Sequence, residues 1–275
     1  MLIAFLILLI LALLAVLYLL SLLGARKRPE LSELKSCRYA HRGLHESKLH
    51  IPENSLRAFR LAVEKGYGAE LDVHLSKDGR LVVMHDESLK RTANLDKYIC
   101  DCTAEELDGM QLEFTDEKIP YLEEVLPLFE GKTPLIIELK PFRGNHAALA
   151  RKTCALLRQY PNLKFCIESF DPRALFWLRR NQPKIIRGQL SCNFLKDSHG
   201  LNPVAAFVLT NLMTNFLTLP HFVAYQFEDR SQISLRLCKK LWSVQEFDWT
   251  IRCIEDAQTA INDGAAIIFE HCQPM

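Results

Sequence analysis

Between the apolar runs AELDVHL (69–75) and LVVMH (81–85) stands Asp78-Gly79, a two-residue hairpin signal, and this turn constrains the fold more than any other feature. Parallel strands need a crossover of roughly a dozen residues or more, so LVVMH must return antiparallel along AELDVHL. Seven further β-branched runs follow or precede it: CRYAH (37–41), PLIIELK (134–140), LKFCIES (163–169), KIIRGQL (184–190), FVAYQFE (222–228), LWSVQEF (241–247) and AAIIFE (265–270). Stretches of helical periodicity separate most of them, the pattern of a parallel sheet with crossover helices. Setting the returning arm aside leaves eight parallel strands, which predicts an α/β fold of the (β/α)8 TIM-barrel type.

Helices are expected over 53–65, with Asn54 or Ser55 as cap, over 145–160, and over 172–181 behind Asp171-Pro172, with Asp capping and Pro in the first turn. Residues 86–133 exceed one crossover and read as a small insertion after the second strand, ending in a helix over 121–130. Loops on that face of a barrel carry function.

The first 23 residues contain no charged side chain and, as a helix, reach across a hydrocarbon core about 30 Å thick. Residues 1–24 are therefore expected to be a transmembrane anchor, 25–36 a basic linker and 37–275 the barrel. A cleaved signal peptide fits less well: the n-region has no Lys or Arg, the apolar run is too long, and Leu23-Gly24-Ala25 is a poor cleavage site. Arg26, Lys27 and Arg28 all follow the run, which places the barrel on the cytoplasmic side of a single-pass membrane protein. Nine scattered cysteines without a CxxC pair agree, reading as reduced core residues. A net charge of +1 without a basic block argues against nucleic acid as a partner. Residues 201–227 contain no Lys, Arg, Asp or Glu. Apolar positions 205, 208, 209, 212, 213, 216 and 219 fit one helical face, with Thr210, Asn211, Thr214 and Thr218 opposite. Both a barrel helix with a mild surface and a face resting on the bilayer fit that pattern.

Glu70 and Asp72 point to one side of their strand. The hairpin turn pairs Lys77 with Arg80 and so predicts Asp72 opposite His85. Adjacent inward carboxylates are costly unless a positive charge lies between them, and an all-oxygen set suits Ca2+ or Mg2+. The competing reading is an exposed strand salt-bridged to Lys77 or Arg80. Glu138 and Lys140 end a later strand, and His41, Arg42 and Gly43 end the first, so all can meet on the C-terminal rim of a barrel. Two histidines, three acids, an Arg and a Lys suit a phosphate diester: cations balance phosphoryl charge while histidines move protons.

With HRG (41–43), PENS (52–55), ELDVHLSKDGRLVVMHD (70–86), RT (91–92), IIELK (136–140) and WT (249–250) in this order and spacing, the chain resembles the glycerophosphodiester phosphodiesterase family from about residue 37 to 270. The resemblance implies a barrel that hydrolyses glycerophosphodiesters to glycerol 3-phosphate and an alcohol through a cyclic phosphate. It implies that His41 and His85 are the acid-base pair. Glu70, Asp72 and Glu138, with His85 in some members, would hold a divalent metal. Arg42 and Lys140 would neutralise the phosphate, and Glu53, Asn54 and Trp249 would contact substrate. Two elements depart from the family: WTIR stands where Trp-Thr-Val-Asn is usual, and IIFEHCQP where Thr-Asp-x-Pro is common. The chain also ends without an eighth covering helix, leaving residues 29–36 or the membrane to shield that side. A lysophospholipase D acting on lysophospholipids, and a catalytically silent membrane-associated barrel, are the alternatives. Oligomeric state and head group stay open.

Overall fold

The computed structural model describes residues 1–25, 30–113 and 115–274; the predicted basic flank of Arg26, Lys27 and Arg28 lies outside the described residues. Its strands are β1 (Arg38–Ala40), β2 (Gly68–Leu75), β3 (Leu81–Val83), β4 (Leu135–Leu139), β5 (Phe165–Ser169), β6 (Arg187–Ser191), β7 (Phe222–Gln226), β8 (Gln245–Ile251) and β9 (Ala266–Phe269). They run in the order β1-β9-β8-β7-β6-β5-β4-β2, and β1 pairs with β2 to close an eight-stranded parallel barrel. β3 hangs antiparallel on β2. The helices before β4 are α1 (Leu2–Ser21), α2 (Ser32–Ser36), α3 (Leu56–Glu64), α4 (Lys90–Ala93), α5 (Ala104–Asp108) and α6 (Leu122–Phe129). Those after it are α7 (His146–Leu157), α8 (Pro172–Asn181), α9 (Pro203–Thr210), α10 (Asn215–Thr218), α11 (Ile233–Trp242) and α12 (Ile254–Asn262). Ser55 caps α3 by accepting from the Ala58 N–H, and Asp171 caps α8 by accepting from the Arg173 N–H.

Strand alternation builds two cores. Leu71, Val73, Ile137, Leu139 and Ile167 face outward onto Phe59, Val125, Leu149 and Leu175 of the helices. Tyr39, Ile136, Cys166, Phe222, Phe247 and Ile268 fill the barrel. A side chain at Gly188 has no room inside: its Cβ would lie 2.1 Å from the Phe222 ring, which is stacked on Phe247 at 4.4 Å. Gly188→Ala is expected to cost about 1–3 kcal/mol by overpacking, measured as a lowered midpoint in thermal or denaturant unfolding.

Four sequence expectations need correction. The hairpin loop has three residues, because the Ser76 N–H donates to the Arg80 carbonyl and Gly79 adopts φ 83°. Val73 therefore opposes Val83, and by the same register Asp72 opposes Met84 rather than His85. Contacts outside the hairpin select this turn: the Asp78 carboxylate accepts the Ala104 N–H and the Lys77 N–H donates to the Cys102 carbonyl, both in the segment between β3 and β4. β8 spans 245–251, not 241–247, because α11 continues through Trp242 and ends at Ser243 with φ 48°. Residues 203–218 form two helices rather than one, and the expected polar face does not turn outward as a whole. Thr210, Asn215 and Thr218 are fully buried, whereas Phe207, Phe216 and Leu217 are exposed. Finally, α2 plugs the barrel interior instead of covering its side: Leu34 joins the interior cluster and its carbonyl accepts the Tyr39 hydroxyl at 2.7 Å.

Residues 84–134 carry α4, α5 and α6, with Met84, Leu89, Ile99, Leu107 and Leu112 forming a separate apolar cluster beside the hairpin. α4 brings Arg91 to the barrel rim, where it bonds Asp86 and Glu53.

Candidate active site

The alternation that puts Ile136 inside the barrel also puts Glu138 inside, one pleat nearer the C-terminal rim. In the sheet register Asp72, Glu138 and Glu168 lie side by side on β2, β4 and β5. Glu70 enters one pleat below Asp72. One carboxylate oxygen from each of Glu70, Asp72 and Glu138 lies within 4.8 Å of the others, and all three residues are buried.

Lys140 follows β4 and bridges two of these acids, with Nζ 3.2 Å from Asp72 Oδ1 and 3.0 Å from Glu138 Oε2. Arg42 reaches the same cluster from the end of β1. Its backbone N–H donates to Glu70 Oε2 at 3.1 Å, its guanidinium donates to both oxygens of Glu53, and its Nε lies 3.7 Å from Asp72. Asn54 donates from Nδ2 to Asp72 Oδ2 at 2.9 Å and from its backbone N–H to the Arg42 carbonyl. Arg42 and Asn54 both take left-handed backbone conformations, φ 55° and 54°, held by these bonds. Gly43 is needed beside them, because at φ 80° a Cβ would lie 2.9 Å from Ala58.

His41 leaves β1 facing inward, with Nδ1–H donating to Glu270 Oε2 at 3.3 Å and Nε2 4.0 Å from Glu70. Burial pushes its imidazole down to about 4 despite the Glu270 hydrogen bond, so it is neutral near pH 7. His85 lies beyond the end of the β3 ladder. The slip in register therefore does not carry it off the site: its carbonyl accepts from His74 Nε2, and its own Nδ1 meets Asp86 at 2.7 Å. His41, His85, Arg42, Glu70, Glu138 and Lys140 all border one polar cavity of about 140 Å³.

Burial raises Glu70 well above the usual carboxylate range, with repulsion from Asp72 and Glu138 adding to it, and burial pushes Glu138 up to about 8. Burial alone would also raise Asp72, but Lys140, His85 and Arg42 hold it well below its ordinary value. Three crowded carboxyls, two of them reluctant to ionise, form an oxygen donor set that fits a hard divalent cation.

Several residues at this rim were not singled out from the sequence. Glu168 is buried and raised well above the carboxylate range by burial, then by Glu138 and Asp72; its Oε2 has no hydrogen-bond partner among the described residues. Glu270 gathers His41, His45, His271 and Arg252, the last at 3.5 Å, and is held down at about 2 by the histidines against the effect of burial. The two departures in WTIR and IIFEHCQP thus meet as one ion pair. Both acids were detectable, since each continues the inward parity of its strand.

Trp249 borders the polar cavity and also a larger chamber of about 640 Å³, bounded by Phe170, Phe194, Leu201, Leu209, Lys140 and His85 among others. Phe170 stands edge-on to Trp249 at 5.6 Å and to Phe194 at 5.9 Å, so these three rings form one aromatic side of the chamber.

Residues 41–228 match the model of the glycerophosphoryl diester phosphodiesterase family. A glycerophosphodiester phosphodiesterase of Caldanaerobacter subterraneus subsp. tengcongensis is 32% identical over 84% of this chain and 92% of its own length. The chain belongs to this family. With it, the protein is a phosphoric diester hydrolase. A solved phosphodiesterase of Oleispira antarctica, in complex with the product sn-glycerol-3-phosphate, is 26% identical over 85% of this chain and 92% of its own, with a TM-score of 0.67. A human lysophospholipase D is 35% identical, over 44% of this chain and 40% of its own length. The HRG, ELD and IIELK segments of this chain all lie within the matched residues, and each sends a side chain to the polar cavity or its border.

Proposed function

We propose that the protein hydrolyses glycerophosphodiesters to glycerol 3-phosphate and an alcohol, using His41 and His85 as a proton-transferring pair beside a divalent metal. The observation that carries this reading is the convergence of both histidines, Lys140 and Arg42 on the Glu70–Asp72–Glu138 cluster. Glu70, Asp72 and Glu138 would hold Ca2+ or Mg2+, with His85 near enough to join them; the metal supplies positive charge against the phosphoryl oxygens. Arg42 and Lys140 share that neutralisation, and Glu53 and Asn54 fix Arg42 and Asp72 beside the glycerol side of the substrate.

Neutral His41 takes the proton of the glycerol 2-hydroxyl as its oxygen attacks phosphorus, and His85 gives a proton to the departing alcohol. The histidines then exchange roles: one deprotonates water, the ring-opening oxygen is reprotonated, and the cyclic phosphate becomes glycerol 3-phosphate. Glu270 fixes the His41 ring by accepting from Nδ1, which leaves Nε2 turned to the acid cluster. Glu270→Gln is expected to lower kcat roughly ten- to a hundredfold with little change in KM, read by steady-state kinetics on glycerophosphocholine.

A lysophospholipid is the second reading, favoured by the aromatic chamber, which begins at His85 and Lys140 and offers an apolar chain somewhere to lie. Purified protein should be given glycerophosphocholine and lysophosphatidylcholine, each with Ca2+ and with Mg2+. Turnover of glycerophosphocholine is the expected result, and exclusive turnover of the long-chain lipid would overturn the first reading.

α1 is proposed to span the membrane once, with the barrel in the cytoplasm. Its 20 residues are long and apolar enough to cross. The following turn supports a retained anchor: Leu22 is fully buried among Leu212, Val223 and Leu235, a Cβ at Gly24 would strike Val244 at 2.4 Å, and the Ala25 N–H donates to the Pro220 carbonyl. Cleavage near Ala25 would remove part of the packed barrel.

A further inference from the structure

We propose that one side of the barrel, formed by α8 to α11, rests on the lipid bilayer as a docking face, so that a lipid substrate reaches the chamber beside Trp249 from the membrane plane; this rests on the membrane placement of α1 and on the lysophospholipid reading proposed above.

The first observation is the set of large apolar side chains that α9 and α10 turn outward while burying polar ones. Thr210, Asn215 and Thr218 face the barrel, where the Thr210 carbonyl accepts from Tyr225 and Ser234 and Asn215 Nδ2 donates to Cys238 Sγ. The outward positions are Val204 at 73% exposure, Phe207 at 51%, Phe216 at 46% and Leu217 at 41%. A helix covering a water-facing surface shows the opposite arrangement. Here Val204, Phe207, Phe216 and Leu217 point away from the core while Thr210, Asn215 and Thr218 are turned into it beside Ala206 and Leu212, as suits an apolar surrounding.

The second observation is asymmetry around the barrel. Neighbouring helices on this side also expose large apolar side chains, Phe176 on α8 and Leu241 on α11, whereas α3, α6 and α7 expose none and α12 exposes Ile254. Residues 201–227, which include α9 and α10, carry no charged side chain, so these two helices have no ion to desolvate when the face enters lipid; the guanidinium of Arg179 on α8, donating to the Phe216 and Leu217 carbonyls, lies at their border.

The third is continuity. α1 joins the barrel in the middle of this side: its last turn touches α10, and Leu22 packs against Leu212 and Leu235. Its own outward surface is wholly apolar along 20 residues, so the same lipid phase that covers α1 adjoins α10. The chamber borders this side too, through Pro172 and Arg173 at the start of α8 and Leu201 and Leu209 around α9.

The full chain should be reconstituted in phosphatidylcholine vesicles containing phosphatidylcholine with a photoactivatable diazirine in its acyl chain, then irradiated and mapped by peptide mass spectrometry. Label is expected on α1 and on residues 203–218, with α7 and α12 at background. Label on 203–218 no stronger than on α7 and α12 overturns the proposal, and so does a chain-to-chain contact that covers 203–218 and keeps it unlabelled. A functional arm uses Val204→Glu combined with Phe207→Glu. Turnover of soluble glycerophosphocholine should stay within twofold, while turnover of vesicle-borne lysophosphatidylcholine should fall at least tenfold relative to Ile254→Glu. Equal rates for the two variants on the vesicle substrate overturn the proposal. Failure of the unsubstituted chain to hydrolyse either substrate would sink the proposed function, yet leave the labelling pattern to decide the docking face.

Discussion

Alanine at His41, or separately at His85, is expected to lower kcat on glycerophosphocholine by about 10²–10⁴-fold, the usual contribution of a positioned proton-transfer group. The two losses should not multiply in the double variant, because the proton accepted from the 2-hydroxyl and the proton given to the leaving oxygen belong to one step. Both rings are held from behind by a carboxylate, His41 by Glu270 and His85 by Asp86, so each presents its Nε2 edge forward. Their surroundings differ. His41 is half-buried and neutral near pH 7, with its imidazole pushed down to about 4 by desolvation, which suits a base. His85 stands where the polar cavity meets the aromatic chamber, beside the expected exit of the alcohol. Unchanged hydrolysis in both single variants would refute the assigned site.

Metal removal has the second large effect. Treatment with EDTA is expected to abolish turnover, and Glu138→Gln to reduce it by roughly 10²–10³-fold even with excess Ca2+ or Mg2+, since one anionic ligand is lost from a buried site. The pH dependence follows from the raised carboxyls. Glu138, pushed up to about 8 by burial, keeps its proton at neutral pH until a cation displaces it. Affinity for the metal should therefore strengthen as pH rises through about 8, with proton release on binding. Calorimetry of Ca2+ binding in two buffers of different ionisation enthalpy checks this: equal apparent enthalpies near pH 7 would show that no carboxyl proton is released. The same sign appears in stability without metal. A carboxyl raised in the folded state favours folding at low pH, and that contribution is lost as pH rises through about 8.

The barrel was legible because its signals are local and periodic. Apolar runs marked every strand, with β8 placed four residues early, and Asp78-Gly79 separated the one antiparallel arm from eight parallel staves. Strand parity also places Glu70, Asp72 and Glu138 on one inner surface, and it would have placed Glu168 and Glu270 there had it been followed to the ends of β5 and β9. Where parity stops, sequence reading fails. The hairpin register slipped by one because Asp78 is turned toward Ala104, about two dozen residues away, a contact invisible in the turn itself. His85 still arrives at the site, since it lies past the paired segment and is placed by the His74 hydrogen bond to its carbonyl rather than by the ladder.

The amino-acid sequence by itself determined the closed parallel barrel, the apolar N-terminal helix and the types of side chain that meet at the C-terminal rim. All three follow from periodicity and from the direction that strand and helix geometry imposes on each side chain. Only the tertiary structure decided which face of 203–218 turns outward, how Glu270 reaches His41 across 229 positions of chain, and that an aromatic chamber adjoins the polar cavity. Those features depend on which elements become neighbours when the sheet closes. Distance along the chain carries no record of that closure, and a helix with two mild faces is oriented by what it packs against rather than by its own pattern.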